Sequence, residues 1–195
     1  MKINNFDNFP QFNQFKSYLR KNVIIAGGCF KDILLGRQLR DIDLFFRNQA
    51  DFENERKFYD MSKLFKCIYS NEKAIGFINI ETNIKIDLVR SIFQNPESTI
   101  SAFDFTVSKM CLYIDIELTN SIMLLHHNDF FEHLHLNRLV IDDKIPFPIS
   151  TFQRVLKYTK YGFNLCRESK IKIIQALQNS KDEKISDSLY DGGFD

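Results

Sequence analysis

The sequence has no tryptophan, and its four cysteines (Cys29, Cys67, Cys111 and Cys166) stand singly, with no CxxC pair. That spacing excludes a compact zinc cluster and a disulfide framework, and predicts buried free thiols in a reducing compartment. No apolar run approaches the roughly 20 residues that a membrane helix needs. The opening MKINNFDNFPQFNQF lacks the apolar stretch of a signal peptide. The expectation is a soluble, cytoplasmic protein with no membrane partner. An excess of either charge is missing too. With 26 basic and 25 acidic residues the net charge is +1, so any attraction to nucleic acid must come from a local basic surface. There is no internal repeat, which excludes a solenoid.

What is present is enough apolar material for one good core: 44% hydrophobic residues and 20 Phe in 195 residues. Periodicity gives alternating helix and strand signals. Phe12, Phe15 and Leu19 suggest a short amphipathic helix, and Asn22–Ala26 reads as a buried strand running into Gly27-Gly28. Phe30–Leu35 has helical spacing, Asp41–Phe46 alternates as a strand, and Glu53–Phe65 reads as a helix with Phe58, Met61, Leu64 and Phe65 along one face. Ala74–Glu81 and Ile84–Val89 form a hairpin. Phe103–Cys111 is predicted helical, leading into the apolar Leu112–Leu118. The stretch 119–143 reads as irregular, with at most a short strand at LVIDD, and two further helices span Thr151–Cys166 (broken at Gly162) and Ile171–Leu177. The predicted fold is α/β (α+β): a small mixed twisted sheet with helices mainly on one face, followed by a short helical neck. The predicted division is 1–145 head, 146–180 neck and 181–195 flexible tail.

Three carboxylates carry the chemistry. Asp41 and Asp43, two apart on a strand, send both side chains from one face. Asp87 is the single acid of the next strongly alternating strand. If those strands are neighbours, the three acids converge and need a counter-ion, for which hard divalent cations are suited. A lone DxD is most often a solvated strand edge, and a lone GG pair a plain turn. Here Gly27-Gly28 follows a strand and precedes a helix, a place where backbone can approach a phosphate, and the Asp pair comes about a dozen residues later.

The run GGCFKDILLGRQLRDIDL resembles the signature of the DNA polymerase β-like nucleotidyltransferase superfamily, in particular the branch of tRNA CCA-adding enzymes and bacterial poly(A) polymerases. Gly27, Gly28, Asp32, Leu34-Leu35-Gly36, Asp41 and Asp43 match in order. Asp104-Phe105-Thr106 resembles the branch's sugar-binding segment, and FQRVLKYTKYGF its neck helix, so the resemblance covers roughly residues 20–165. It implies a nucleotidyltransferase with two Mg²⁺ ions held by Asp41, Asp43 and Asp87. The substrate would be a nucleoside triphosphate (ATP or CTP), and the acceptor the 3′ end of an RNA, tRNA-like. Gly27 and Gly28 would shape the phosphate turn, Lys31 and Asp32 would flank it, Arg37 or Arg40 would neutralise triphosphate charge, and Asp104 with Thr106 would lie near the ribose. Arg154 and Lys157 lie on a basic helix face that would follow phosphate.

The sequence also departs from the pattern. Lys31 stands where the branch has Arg and loses its bidentate fork. Ala102 and Phe103 replace two arginines, and Phe147, Pro148 and Thr151 replace the base-selecting Glu-Asp-x-x-Arg. These departures keep two other readings in view: a minimal nucleotidyltransferase that modifies a protein or small molecule, as in toxin–antitoxin modules, and a non-catalytic nucleotide-binding relative. His126, His127, His133 and His135 fit no tight zinc spacing and read as a surface loop. Phe152, Leu156 and Phe163 read as core. Nothing in the sequence sets an oligomeric state.

Overall fold

A computed structural model of the chain describes residues 1–116, 120–142 and 145–180. Along the chain run β1 (Lys2–Asn5), β2 (Val23–Ala26), α1 (Gly28–Leu34), β3 (Asp41–Phe46), α2 (Gln49–Met61), β4 (Phe65–Ser70), β5 (Ala74–Asn79) and β6 (Lys85–Ile92). There follow α3 (Pro96–Ser101), β7 (Met110–Ile114), β8 (Ile122–His126), α4 (Phe130–His135), β9 (Arg138–Leu139), α5 (Pro148–Lys160), β10 (Asn164–Leu165) and α6 (Arg167–Asn179). Eight strands form one mixed sheet in the order β1-β8-β7-β2-β3-β6-β5-β4, and β9 pairs with β10 in parallel. The α/β expectation holds. Among the described residues no helix is long and apolar enough to cross a membrane. The expected tail, 181–195, lies outside the described residues.

The strand alternation builds two unequal faces. Val23, Ile25, Ile42, Leu44, Phe46, Ile86 and Leu88 point into the main core. There Phe30 of α1 meets Phe12 and Phe15 at ring distances of 5.2 and 4.8 Å. All three rings are fully buried, so Phe30→Ala should cost about 3–5 kcal/mol, measurable by urea denaturation. The opposite face holds a smaller cluster of Ile24, Ala26, Phe45, Val89, Ile100, Cys111, Tyr113 and Leu125, with α3 supplying Ile100. Asp43 and Asp87 belong to this face by alternation, and its thinner cover leaves room for a site.

Several local expectations are corrected. The N-terminal segment is a strand and two 3₁₀ turns (Phe6–Asn8 and Pro10–Phe15) rather than an α-helix. In α2 the inward residues are Phe52, Glu55 and Tyr59, while Met61 is 85% exposed. The turn of the helix is set by Arg20, which pairs with Glu55 and stacks 3.6 Å from the centre of Phe58. Phe65 already belongs to β4. Phe103–Cys111 is not an α-helix but holds a single 3₁₀ turn, Thr106–Ser108: Thr106 donates its amide to Val140 O, Phe105 bridges to Ile141, and Met110 begins β7. The stretch expected to be irregular contains β8 and α4. Phe163 is core, but Phe152 and Leu156 are exposed, and α5 turns Thr151, Val155 and Tyr158 inward instead.

Three of the four histidines are also not on a surface loop: His126 ends β8, His133 and His135 belong to α4, and the first two are buried, at 2% and 7% exposed. His126 lies 2.8 Å from the Asn4 side-chain nitrogen, and His133 Nδ1 lies 2.8 Å from the Thr106 hydroxyl. Burial lowers the pKa of both from 6.5. Folding therefore favours their neutral forms, and stability present above about pH 6.5 is lost as the pH falls through their depressed values. The melting temperature should fall between about pH 7 and 5, and a His126→Asn/His133→Asn variant should show a flatter profile.

Candidate active site

The site is a row across the sheet. In register, Ala26 of β2 stands against Asp43 of β3, Asp43 against Asp87 of β6, and Asp87 against Gly76 of β5. Two carboxylates thus face each other on neighbouring parallel strands, which lie about 4.8 Å apart, between two small residues. Asp41, one pleat further on, is exposed, whereas Asp43 is 9% exposed. Like charges in this arrangement repel.

Asp87 is partly compensated from within. Lys85 stands opposite Asp41 and places Nζ 2.9 Å from Asp87 Oδ2. Burial lowers the Lys85 pKa, but its hydrogen bond to Asp87 and the charges of Asp87, Asp41 and Asp43 outweigh that and raise it. Tyr69 of β4 joins the group. Burial, then its hydrogen bond with Asp87 and the three aspartate charges, push its phenol well above the ordinary range. Asp87 Oδ1, by contrast, is buried with no hydrogen-bond partner. Among the described residues no three His, Cys, Asp or Glu side chains gather as a ready-made metal cage.

The glycine turn adjoins the row. Gly27 has φ 105°, a conformation that favours glycine, and its amide donates to Met110 O at 3.0 Å. Beyond it opens a cleft of about 400 Å³. Gly28, Asp32, Asp41 and Asp43 line it together with the cations Lys31, Arg37, Arg40 and Lys157. Lys31, 1% exposed, pairs with Asp32 Oδ1 at 3.0 Å and lies 4.7 Å from the Tyr158 ring centre. Arg37 donates to the same oxygen at 3.0 Å and to Tyr161 O at 3.2 Å, which ties α1 to the end of α5. Cys29 also lines the cleft. Burial, Asp43 and Asp32 hold its thiol well above its ordinary pKa, so it is a poor nucleophile.

The remaining predicted residues lie elsewhere. Asp104 and Arg154 line a second, aromatic pocket of about 370 Å³ with Phe45, Phe93, Phe103 and Phe147. Asp104 Oδ2 accepts from the Thr151 hydroxyl and from Arg154 Nε, both at 2.9 Å. The Thr106 hydroxyl is engaged by His133 rather than turned to a cleft. Sequence reasoning missed Lys85, Tyr69 and Gly76. A glycine inside the alternating run AIGFIN is the one signal that could have pointed there, since it marks a close approach.

The profile described as "Gabija anti-defense 2 family protein" matches residues 2–137. The chain belongs to the Gabija anti-defense 2 family. One member, Gabija anti-defense 2 of Bacillus phage SPbetaL7, is 29% identical over 163 residues, which are 80% of this chain and 37% of that protein. The chain thus spans little more than a third of that relative. Among solved structures, a Thermotoga maritima CCA-adding enzyme complexed with tRNA superposes with TM-score 0.63 at 16% identity, covering 91% of this chain and 46% of that one. A tRNA nucleotidyltransferase complexed with primer tRNA and an ATP analogue gives 0.55 at 18% identity, over 80% of this chain and 47% of that one. At such identities the likeness shows the fold alone: this Gabija anti-defense 2 family chain shares its architecture with the matched part of those two tRNA enzymes. The family model that matches is that of Gabija anti-defense 2, not of a CCA-adding enzyme.

Proposed function

We propose that the cleft is the active site of a Mg²⁺-dependent nucleotidyltransferase, which moves a nucleoside monophosphate from ATP or CTP to an acceptor hydroxyl. The observation that carries this reading is the register of Asp43 against Asp87 beside a cleft lined by four cationic side chains. The donor set fits a hard divalent cation, because it is all oxygen and because Asp87 Oδ1 is buried and unpartnered. Asp43 and Asp87, with Asp41 at the mouth, would hold two Mg²⁺ ions, whose charge would offset that developing on the α-phosphate.

The chain's own residues would do the rest. The Gly27-Gly28 turn would admit the phosphates close to the backbone. Lys31 and Arg37, oriented by Asp32, would with Arg40 and Lys157 hold the triphosphate in line for attack. Asp87 would draw the proton from the attacking hydroxyl as pyrophosphate leaves. The aromatic pocket beyond Phe45 would take the base by stacking. Residues 1–145 are read as the head and 146–180 as the neck, with α5 walling the cleft.

The acceptor implied by the fold is an RNA 3′ end. The family's name favours a second acceptor, a hydroxyl on a protein of the defence that the relative is named for countering. The test is to incubate the protein with Mg²⁺, each α-labelled triphosphate, and either total RNA or a bacterial lysate, against an Asp41→Ala/Asp43→Ala variant. Label in RNA supports the first acceptor and label in protein the second. No label in either, from protein that also fails to bind Mg²⁺-triphosphate, contradicts the proposal.

A further inference from the structure

Asp87 is held by two side chains, one from its own strand and one from β4, two strands away. Lys85 lies two residues earlier on β6, so it leaves the same face, and its Nζ sits 2.9 Å from Asp87 Oδ2. The same ammonium lies 5.0 Å from the centre of the Tyr69 ring. Tyr69 reaches over from β4 because the intervening strand carries Gly76. A Cβ on Gly76 would come 2.1 Å from Tyr69 Cε1, so any larger residue there would push the ring away.

The compensation is incomplete. Lys85 and Tyr69 together still leave Oδ1 of Asp87 buried without a partner. A divalent cation between Asp43 and Asp87 would satisfy that oxygen and relieve the repulsion across the register. Lysine suits a place that must be vacated, since its ammonium is a compact charge on a flexible stem, whereas arginine would grip a carboxylate with two parallel bonds. The Tyr69 ring face offers the displaced ammonium a favourable resting place.

We infer that Lys85 is a tethered counter-ion: it occupies Asp87 Oδ2 while the cleft is without a divalent cation, and leaves that oxygen, keeping its place over the Tyr69 ring, when one binds. The inference rests on the metal reading proposed above. It makes Lys85 a positioning residue that sets the metal affinity of the site, and Gly76 the residue that keeps Tyr69 within reach.

Mn²⁺ titration of the full chain without nucleotide, followed by electron paramagnetic resonance, tests it. Lys85→Met should bind Mn²⁺ about tenfold more tightly than the unaltered chain, because a competitor is removed. Its metal-free melting temperature should fall, and Mn²⁺ should raise it by more than in the unaltered chain. Lys85→Arg, which keeps the charge and strengthens the grip, should bind Mn²⁺ more weakly. Equal or weaker Mn²⁺ binding by Lys85→Met, or unchanged binding by Lys85→Arg, overturns the exchange and leaves the proposed function standing. If the unaltered chain and both variants bind no Mn²⁺, the metal reading fails and the exchange with it.

Discussion

Asp43→Asn is expected to reduce nucleotidyl transfer by about 10³-fold, on the order of 4 kcal/mol of transition-state stabilisation, while leaving the fold intact. Asp43 stands at the centre of the row, against Ala26 on one side and Asp87 on the other. Removing its charge takes away the group that would hold a metal from β3, and nothing in the register replaces it, since Asp41 lies one pleat outward opposite Lys85. The same change removes a like-charge confrontation. The melting temperature should therefore hold or rise as activity disappears. A variant that loses activity by unfolding would show the reverse, so a melting curve beside the transfer assay separates the two.

Asp104→Ala is expected to cost about 3–5 kcal/mol of stability, because it leaves the largely buried Arg154 guanidinium without its counter-charge. One oxygen of Asp104 receives Thr151 and Arg154 from α5, and both side chains are largely enclosed. This lock joins the segment before β7 to the helix that walls the cleft. The resemblance implies a different job for Asp104, contact with a ribose. The two roles differ in their readout. A lock lowers stability with no nucleotide present, whereas a ribose ligand would leave the denaturation midpoint unchanged and raise KM. Combining Asp104→Ala with Arg154→Leu should recover part of the lost stability, as expected when the damage comes from a stranded charge.

The parts of the site that were legible in the sequence are those whose signals are local. D-I-D-L-F-F and I-K-I-D-L-V alternate because each strand buries one face in the main core, and the same alternation puts Asp43 and Asp87 on the other face. Gly27 was legible because its conformation requires glycine. What was not legible depends on partners far away in the chain. Phe103–Cys111 has helical spacing, yet Val140 and Ile141 capture its backbone. The edge strand β4 is half exposed and carries no alternation to reveal it. Glu55 faces inward against the pattern because Arg20 meets it there. His126 and His133 looked like loop residues until a strand and a helix enclosed them. Lys85 was in plain view, but its meaning comes from the register that sets it beside Asp87, and from the gap at Gly76 that lets Tyr69 in.

Because the acceptor is open between RNA and protein, triphosphate binding is the measurement that tests the central claim most directly. Each of the four nucleoside triphosphates should be titrated calorimetrically into the full chain with and without Mg²⁺, and into Asp43→Asn. At least one should bind with Mg²⁺ present, binding should weaken by a factor of ten or more without it, and Asp43→Asn should abolish the metal dependence. If no triphosphate binds, or if binding is indifferent to both Mg²⁺ and Asp43, then the row of Asp43 and Asp87 is not a nucleotidyl-transfer site.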